Sequence, residues 1–153
     1  MSNLDLAFLY AKQHSGCNKV NVGSAIVSNG RVIALGANRC IPDLCNTKRG
    51  CLRVERYGND SKAHRNPEDC RAIHSEIDAI CSAAINGVST KGATIFVTRY
   101  PCESCAKAII RAGIYRVMYG GTTEISEDTA RMFEENRVQV KHITDWKEDL
   151  SDR

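Results

Sequence analysis

Apolar positions recur at helical spacing from Leu4 to His14, with Leu6, Leu9 and Tyr10 along one stripe, and predict an opening helix. Val22 to Val27 and Val32 to Ala37 are short apolar runs on either side of Ser28-Asn29-Gly30-Arg31. The Asn-Gly pair between them predicts an antiparallel hairpin. From Asn38 to Asn66 no clean period exists, and the stretch is rich in Cys, Gly, Asn and charge. A loop of that length inside a compact domain calls for a physical explanation, and a metal clip would supply one. Periodicity returns at Ile73. Ile77, Ile80, Cys81 and Ala84 repeat at helical spacing, and Asn86-Gly87 closes that helix. Thr94 to Thr98 is β-branched and aromatic and reads as a buried strand. Pro101 suits a helix start, with Cys105, Ile109 and Ile110 inward and a stop near Gly113. A strand over Tyr115–Tyr119, a turn at Gly120-Gly121, a helix over Glu127–Asn136 and a strand over Val138–Ile143 complete the pattern. Strands alternating with helices in the second half predict parallel pairing there, and the hairpin adds antiparallel strands. The expected class is an α/β layered sandwich.

At 153 residues, the chain suits one domain, expected over 1–146, with a Cys/His-rich insertion at about 39–70 and a charged tail at 147–153. With 42% hydrophobic and 25% charged residues it is neither a disordered segment nor a fibre. No apolar run approaches the ~18 residues of a membrane span. The start lacks the basic segment and long apolar run of a signal peptide, so a cytoplasmic location is expected. Net charge is +3 and the basic residues are scattered, whereas duplex nucleic-acid binders usually concentrate a basic face. A small anionic substrate needs only one or two well-placed cations.

Cysteine is the outlier, with 8 in the chain. In a reducing compartment cysteines bind metal, catalyse, or pack as small hydrophobes, and spacing decides which. Cys17 and Cys81 read as small hydrophobes, and Trp146 receives no function. His74-Ser75-Glu76 and Pro101-Cys102-Glu103-Ser104-Cys105 both fall at predicted helix N-termini. Cys102 and Cys105, three apart, share a helix face. Alone, such a pair is as often half of a structural zinc site or a redox pair as anything else. Two thiolates and the His74 imidazole together make three tetrahedral zinc ligands with a fourth position open, which is the arrangement of a catalytic zinc. The helix N-termini favour thiolate over thiol. Glu76 should point near the metal without binding it, placed to take a proton from water and deliver it to a substrate nitrogen. His-x-Glu followed by Pro-Cys-x-x-Cys is the signature of zinc deaminases.

The run Pro101-Cys102-x-x-Cys105-Ala106-Lys107-Ala108-Ile109-Ile110-x-Ala112-Gly113-Ile114 resembles the deoxycytidylate (dCMP) deaminases of the cytidine deaminase superfamily. Cys17 to Ser24 and Cys70-Arg71-x-Ile73-His74 resemble the same family, so the likeness spans roughly Leu6 to Val140. It implies a three-layer α-β-α sandwich with a central mixed five-stranded sheet. It implies Zn2+ on His74, Cys102 and Cys105, with Glu76 as proton shuttle, and hydrolysis of dCMP to dUMP and ammonia for thymidylate synthesis. Asn38 stands where the family has an Asn in Gly-Tyr-Asn-Gly, implying a sugar hydroxyl contact. Lys19 stands where the family often has Arg, implying a phosphate contact. Related bacterial and phage deaminases often carry a second, structural zinc in the irregular insertion. Here Cys45, Cys51, His64 and Cys70 would form a closed Cys3His site, with Cys40 as an alternative ligand. The likeness also implies a homo-oligomer, a hexamer ahead of a dimer, and control by dCTP and dTTP, with Mg2+ accompanying a bound regulatory nucleotide. Departures are Gly36-Ala37-Asn38-Arg39, Ser75 for Ala, Asp78 for Asn, and Arg99-Tyr100 where apolar residues are commoner. A dCMP/dCTP or 5-substituted deoxycytidine nucleotide deaminase, and a zinc-stabilised binding module without catalysis, are the competing expectations. Glu76 discriminates against the last.

Overall fold

The computed structural model describes residues 1–17, 19–41, 50–58, 70–121 and 124–146. The opening helix, α1 (Asn3–His14), starts at a reciprocal cap: the Ser2 hydroxyl accepts the Asp5 N–H at 3.1 Å and the Asp5 carboxylate accepts the Ser2 N–H at 2.9 Å. β1 (Gly23–Ser28) and β2 (Arg31–Ala37) form the expected hairpin. Asn29 and Gly30 both take positive φ, at 50° and 73°, as a two-residue turn matched to strand twist requires. β3 (Arg39–Cys40) follows, then α2 (Leu52–Tyr57), β4 (Ala72–Ile73) and α3 (Ser75–Ile85). β5 (Thr94–Val97), α4 (Glu103–Arg111), β6 (Arg116–Tyr119), α5 (Glu127–Glu135) and β7 (Gln139–His142) complete the order.

The main sheet runs β2-β1-β5-β6-β7. Its hairpin half is antiparallel, and β5, β6 and β7 pair in parallel, so it is mixed and five-stranded as expected. Alternate residues face opposite layers. Gly23 lies against the Ala7 carbonyl of α1. Its neighbour Ser24 meets Ser75 of α3 on the other side. Helices therefore cover both faces. The larger core fills the α3–α4–α5 face with Ile26, Ile95, Val97, Ile109, Val117 and Phe133, all essentially inaccessible. On the α1 face the Trp146 ring packs edge-on against Phe8 at 6.0 Å, and its indole N–H donates to Asp5 at 3.1 Å. Trp146 thus fastens the described C-terminal residues to the first helix. Among the described residues no helix is long and apolar enough to cross a membrane.

Three details differ from the sequence pattern. The buried stripe of α1 is Leu4, Ala7, Phe8 and Ala11 rather than Leu6, Leu9 and Tyr10. That of α3 is Ser75, Glu76, Ala79 and Ala83, while Cys81 and Ala84 face solvent. In α3 the cause is close approach to the sheet at a glycine: a β-carbon on Gly36 would overlap the Ser75 carbonyl and the Ala79 amide. Only small residues fit under a helix held that near, so the larger side chains rotate to the flanks. Third, the irregular stretch holds the short α2 and β3, which pairs with β4 just beyond it. Cys45, His64 and the tail at 147–153 lie outside the described residues.

Candidate functional site

Two helix N-termini meet at one end of the sheet. His74 is the N-cap of α3 and Cys102 the N-cap of α4. Neither makes a side-chain capping bond, so both side chains are directed outward to one another. His74 Nδ1 lies 3.4 Å from Cys102 Sγ and 3.3 Å from Cys105 Sγ, and the three atoms all fall within 4.8 Å of one another. With Zn–S near 2.3 Å and Zn–N near 2.0–2.1 Å, the N···S edge of a tetrahedron is about 3.6 Å. The donor set is therefore spaced and typed for zinc, and Nδ1 is the imidazole atom that faces the thiols. Among the described residues this is the one group of three such donors so placed.

The electrostatics of the metal-free cluster follow from crowding. Cys102 is pulled down to about 4, chiefly because the Cys105 thiol donates to it, with further help from His74. Cys105, almost fully buried, is pushed far up by that same hydrogen bond, by desolvation and by the charge of Glu76. The pair thus shares one proton, held on Cys105. The Cys102 thiolate in turn raises His74 through their hydrogen bond, against the cost of burial. Such a cluster must shed protons to take up a metal.

Glu76 sits within the first turn of α3 and is 4% exposed. Desolvation raises its carboxyl above the ordinary range; its own backbone N–H, His74 and the Ser75 hydroxyl oppose that rise, while Cys102 adds to it. The Ser75 hydroxyl donates to Glu76 Oε2 at 3.1 Å and lies 2.6 Å from Ser24 Oγ. Because Ser75 spends its one proton on the carboxylate, Ser24 is the donor of the shorter bond. A chain Ser24→Ser75→Glu76 therefore runs from β1 to the carboxylate. Sequence pattern assigns no role to the hydroxyls of Ser24 and Ser75, because a serine carries no distinctive signal until its partner is known.

His74, Ser75, Glu76 and Cys102 line a cavity of about 250 Å³. Asn38 lines it too, with its amide tying the preceding loop: Oδ1 accepts the Val22 N–H at 2.9 Å and Nδ2 donates to the Val20 carbonyl at 2.8 Å. Lys19, exposed, stands at the same cavity. So do Cys51 and Cys70, both half-buried. Cys17 is half-buried on the cavity wall and Cys81 is exposed, so neither packs as a core hydrophobe. Cys40 is buried, with its thiol toward the Gly16 carbonyl at 3.4 Å. Asp78 accepts the Ala37 N–H at 3.0 Å and lies 3.6 Å from Arg39, pinning α3 to the end of β2. Arg53, Arg99 and Tyr100 also line the cavity, and local pattern gave no reason to place Arg53 there.

Residues 2–121 match the family described as the cytidine and deoxycytidylate deaminase zinc-binding region. ComE operon protein 2 of Bacillus subtilis (strain 168) is 35% identical over 131 residues, which are 84% of this chain and 63% of that protein. The chain thus spans just under two thirds of that relative's length. The deoxycytidylate deaminase of Enterobacteria phage T4 is 32% identical over 144 residues, 76% of this chain and 74% of the phage protein. Among solved structures, a dCMP deaminase from the cyanophage S-TIM5 in complex with dCMP and dUMP superposes with a TM-score of 0.70 at 26% identity. That likeness covers 92% of this chain and 93% of the cyanophage chain.

Proposed function

The chain belongs to the cytidine and deoxycytidylate deaminase family, and we propose that it is a zinc-dependent enzyme that hydrolyses dCMP to dUMP and ammonia. The observation that carries this is the three-donor cluster with a buried carboxylate beside it at the base of a cavity. A closed structural site would need a fourth protein ligand and would have no use for Glu76. The relatives named for deoxycytidylate deamination support the choice of substrate.

His74, Cys102 and Cys105 would hold the zinc, which when bound would supply Lewis-acid activation of a water at neutral pH. Glu76 accepts the proton that water gives up as its oxygen bonds to C4 of the cytosine. It delivers that proton to N3, then takes the remaining proton from the oxygen now bonded to C4 and passes it to the amino nitrogen as the C4–N bond breaks, leaving the C4 carbonyl and ammonia. The raised affinity of Glu76 for a proton suits it to hold one between these steps. Ser75 fixes the carboxylate through Oε2, so the shuttle works from one rotamer. Asn38 contacts the sugar with the hydrogen-bonding capacity its loop contacts leave over.

The reading extends to the whole unit. Residues 1–146 form one deaminase domain with an insertion at 39–70, in which Cys45, Cys51, His64 and Cys70 hold a second, structural zinc. The half-buried Cys51 and Cys70 at the cavity wall support this, and metal analysis near two zinc ions per chain is expected, against one if the second site is wrong. Regulation by dCTP and dTTP with Mg2+, a homo-oligomer and a cytoplasmic location belong to the same reading. Its test is ammonia release by the zinc-loaded protein from dCMP, dCTP, 5-substituted dCMP and deoxycytidine, with and without dCTP and dTTP. Turnover of dCMP above the others is expected, and no ammonia from any of them refutes the assignment.

A further inference from the structure

We propose that Asp78 is a positioning residue for the substrate: from the helix that carries Glu76 it clasps both chain neighbours of Asn38, and so holds the Asn38 amide where it can tell a sugar hydroxyl from a hydrogen. This rests on the deaminase reading, in which the base meets Glu76 and the sugar meets Asn38.

Asn38 is 7% exposed, lines the cavity and directly follows β2, an edge strand of the main sheet. Its own hydrogen bonds all run to one side. Its N–H donates to the Val22 carbonyl at 3.0 Å, and its carbonyl accepts the Gly16 N–H at 3.1 Å and the Ser15 hydroxyl at 3.2 Å. Its amide holds Val20 and Val22. These contacts seat Asn38 on residues 15–22, and among the described residues none of them reaches α3. An amide group so used keeps one N–H and one oxygen lone pair for a ligand.

Asp78 supplies the link to α3. The wholly buried Ala37, on one side of Asn38, donates its N–H to Asp78 Oδ2 at 3.0 Å. On the other side, Arg39 Nε is buried without a hydrogen bond among the described residues and lies 3.6 Å from the same carboxylate oxygen. Arg39 is steadied in turn by donating from Nη2 to the Tyr10 hydroxyl of α1 at 3.1 Å. Asp78 itself stands in the first turn of α3, two residues beyond Glu76, with its N–H on the His74 carbonyl at 2.9 Å. The clasp therefore sets the distance between the reacting carboxylate and the sugar contact. Arg39 and Asp78 are both positions where the chain departs from the family pattern, and the fold brings them against each other. Without Asp78, a buried N–H at Ala37 must find another acceptor, and Asn38 must shift with it.

The test compares zinc-loaded wild type and variants, by ammonia release, on dCMP and on its analogue lacking the 3′-hydroxyl, 2′,3′-dideoxycytidine 5′-monophosphate. Wild type should favour dCMP about 10-fold in kcat/KM, the worth of one hydrogen bond to a hydroxyl. Asn38→Ala should abolish that preference. Asp78→Ala should cut it to about 2-fold although its side chain never meets the sugar, and the double variant should show no preference beyond that of Asn38→Ala. Asp78→Asn keeps an acceptor for Ala37 and should restore most of the preference, with Arg39→Gln between. Val117→Ala, a core truncation in β6, should lower Tm and leave the preference at its wild-type value. A wild-type preference in Asp78→Ala, or a preference that Val117→Ala loses equally, overturns the proposal. If Asp78→Ala does not fold, Arg39→Gln decides, since it leaves the Ala37 bond in place: a reduced preference supports the clasp and an unchanged one overturns it. Wild type that turns over both compounds equally also overturns it and leaves the deaminase reading standing. If wild type releases ammonia from neither, the deaminase reading fails separately. Calorimetric titration of the two compounds into wild type and Asp78→Ala then decides, supported by a dCMP preference that the variant loses and overturned by equal affinities or by no binding.

Discussion

Replacing Gly36 by alanine tests the link between packing and chemistry most directly. A β-carbon at Gly36 would overlap the Ser75 carbonyl oxygen and the Ala79 amide nitrogen, and would stand 2.9 Å from Ala79 Cα. All three are backbone atoms of α3, so no flexible side chain can swing aside. Comfortable contact requires roughly 3.5–4 Å, so the start of α3 must retreat from β2 by about 1 Å. Overpacking of this kind costs about 1–3 kcal/mol, and exchanging glycine for alanine in a strand returns at most ~1. The expected net loss is about 2 kcal/mol, or a fall in Tm of roughly 4–8 °C for a chain of this size. The retreating residues are Ser75 and Glu76, next to His74, and an error of about 1 Å in a reacting group can cost ~100-fold in rate. Thermal unfolding, zinc content and dCMP turnover are the assays. Gly87→Ala is the comparison: its φ is +66° but nothing lies within 4 Å of the added carbon, so it should cost about 1 kcal/mol of backbone strain and leave turnover intact. A Gly36→Ala protein with the stability and turnover of wild type would refute the claim that this contact sets the depth of α3.

Other outcomes follow from the same geometry. Glu76→Gln should retain zinc and fold, since Glu76 is no ligand, and lose about 10²–10⁴-fold in kcat by ammonia assay; near wild-type turnover removes it from the mechanism. Ser75→Ala deletes the donor to Glu76 and strands Ser24 in a buried site, so stability should drop by about 1–2 kcal/mol in denaturant unfolding and kcat should fall with KM nearly constant. In the double Ser24→Ala/Ser75→Ala variant the losses should be less than additive, and strict additivity would show the two hydroxyls to be uncoupled. In metal-free protein, Cys102 should alkylate as a thiolate well below the usual thiol range, with its rate falling only as pH drops through about 4. Because the folded state depresses this group, the unfolded chain binds the extra proton at intermediate pH. That contribution to stability is complete above the ordinary thiol pKa and is lost toward pH 4. A Cys102 alkylation rate that titrates near pH 8–9, as in free thiols, would contradict the shared-proton cluster.

Much of this protein is legible in local pattern. Period and punctuation alone place the Asn29-Gly30 hairpin, the helices over Ser75–Ile85 and Glu103–Arg111 and the strands between them, because turn residues and apolar spacing act within a few positions of one another. The types and spacing of His74, Cys102 and Cys105, with Glu76 beside them, likewise mark a candidate metal site in the sequence, since zinc is held by thiolates and imidazoles. Tertiary contact decided the rest. Which stripe of α3 is buried depends on how near the sheet lets the helix come, and that is set at Gly36, remote in sequence from α3 and hidden from any count of hydrophobicity. The six-residue α2 buries no side chain, so no amphipathic period announces it, and its place over the cavity comes from Arg71 reaching Glu55 and Gly50. Arg53 and Arg99 reach the wall of the Glu76 cavity only when α2, α3 and the end of β5 converge, and the Ser24–Ser75–Glu76 chain forms only where β1 meets α3. A one-dimensional pattern records what each segment prefers; which side chains share a wall is settled by the packing of segments far apart in the chain.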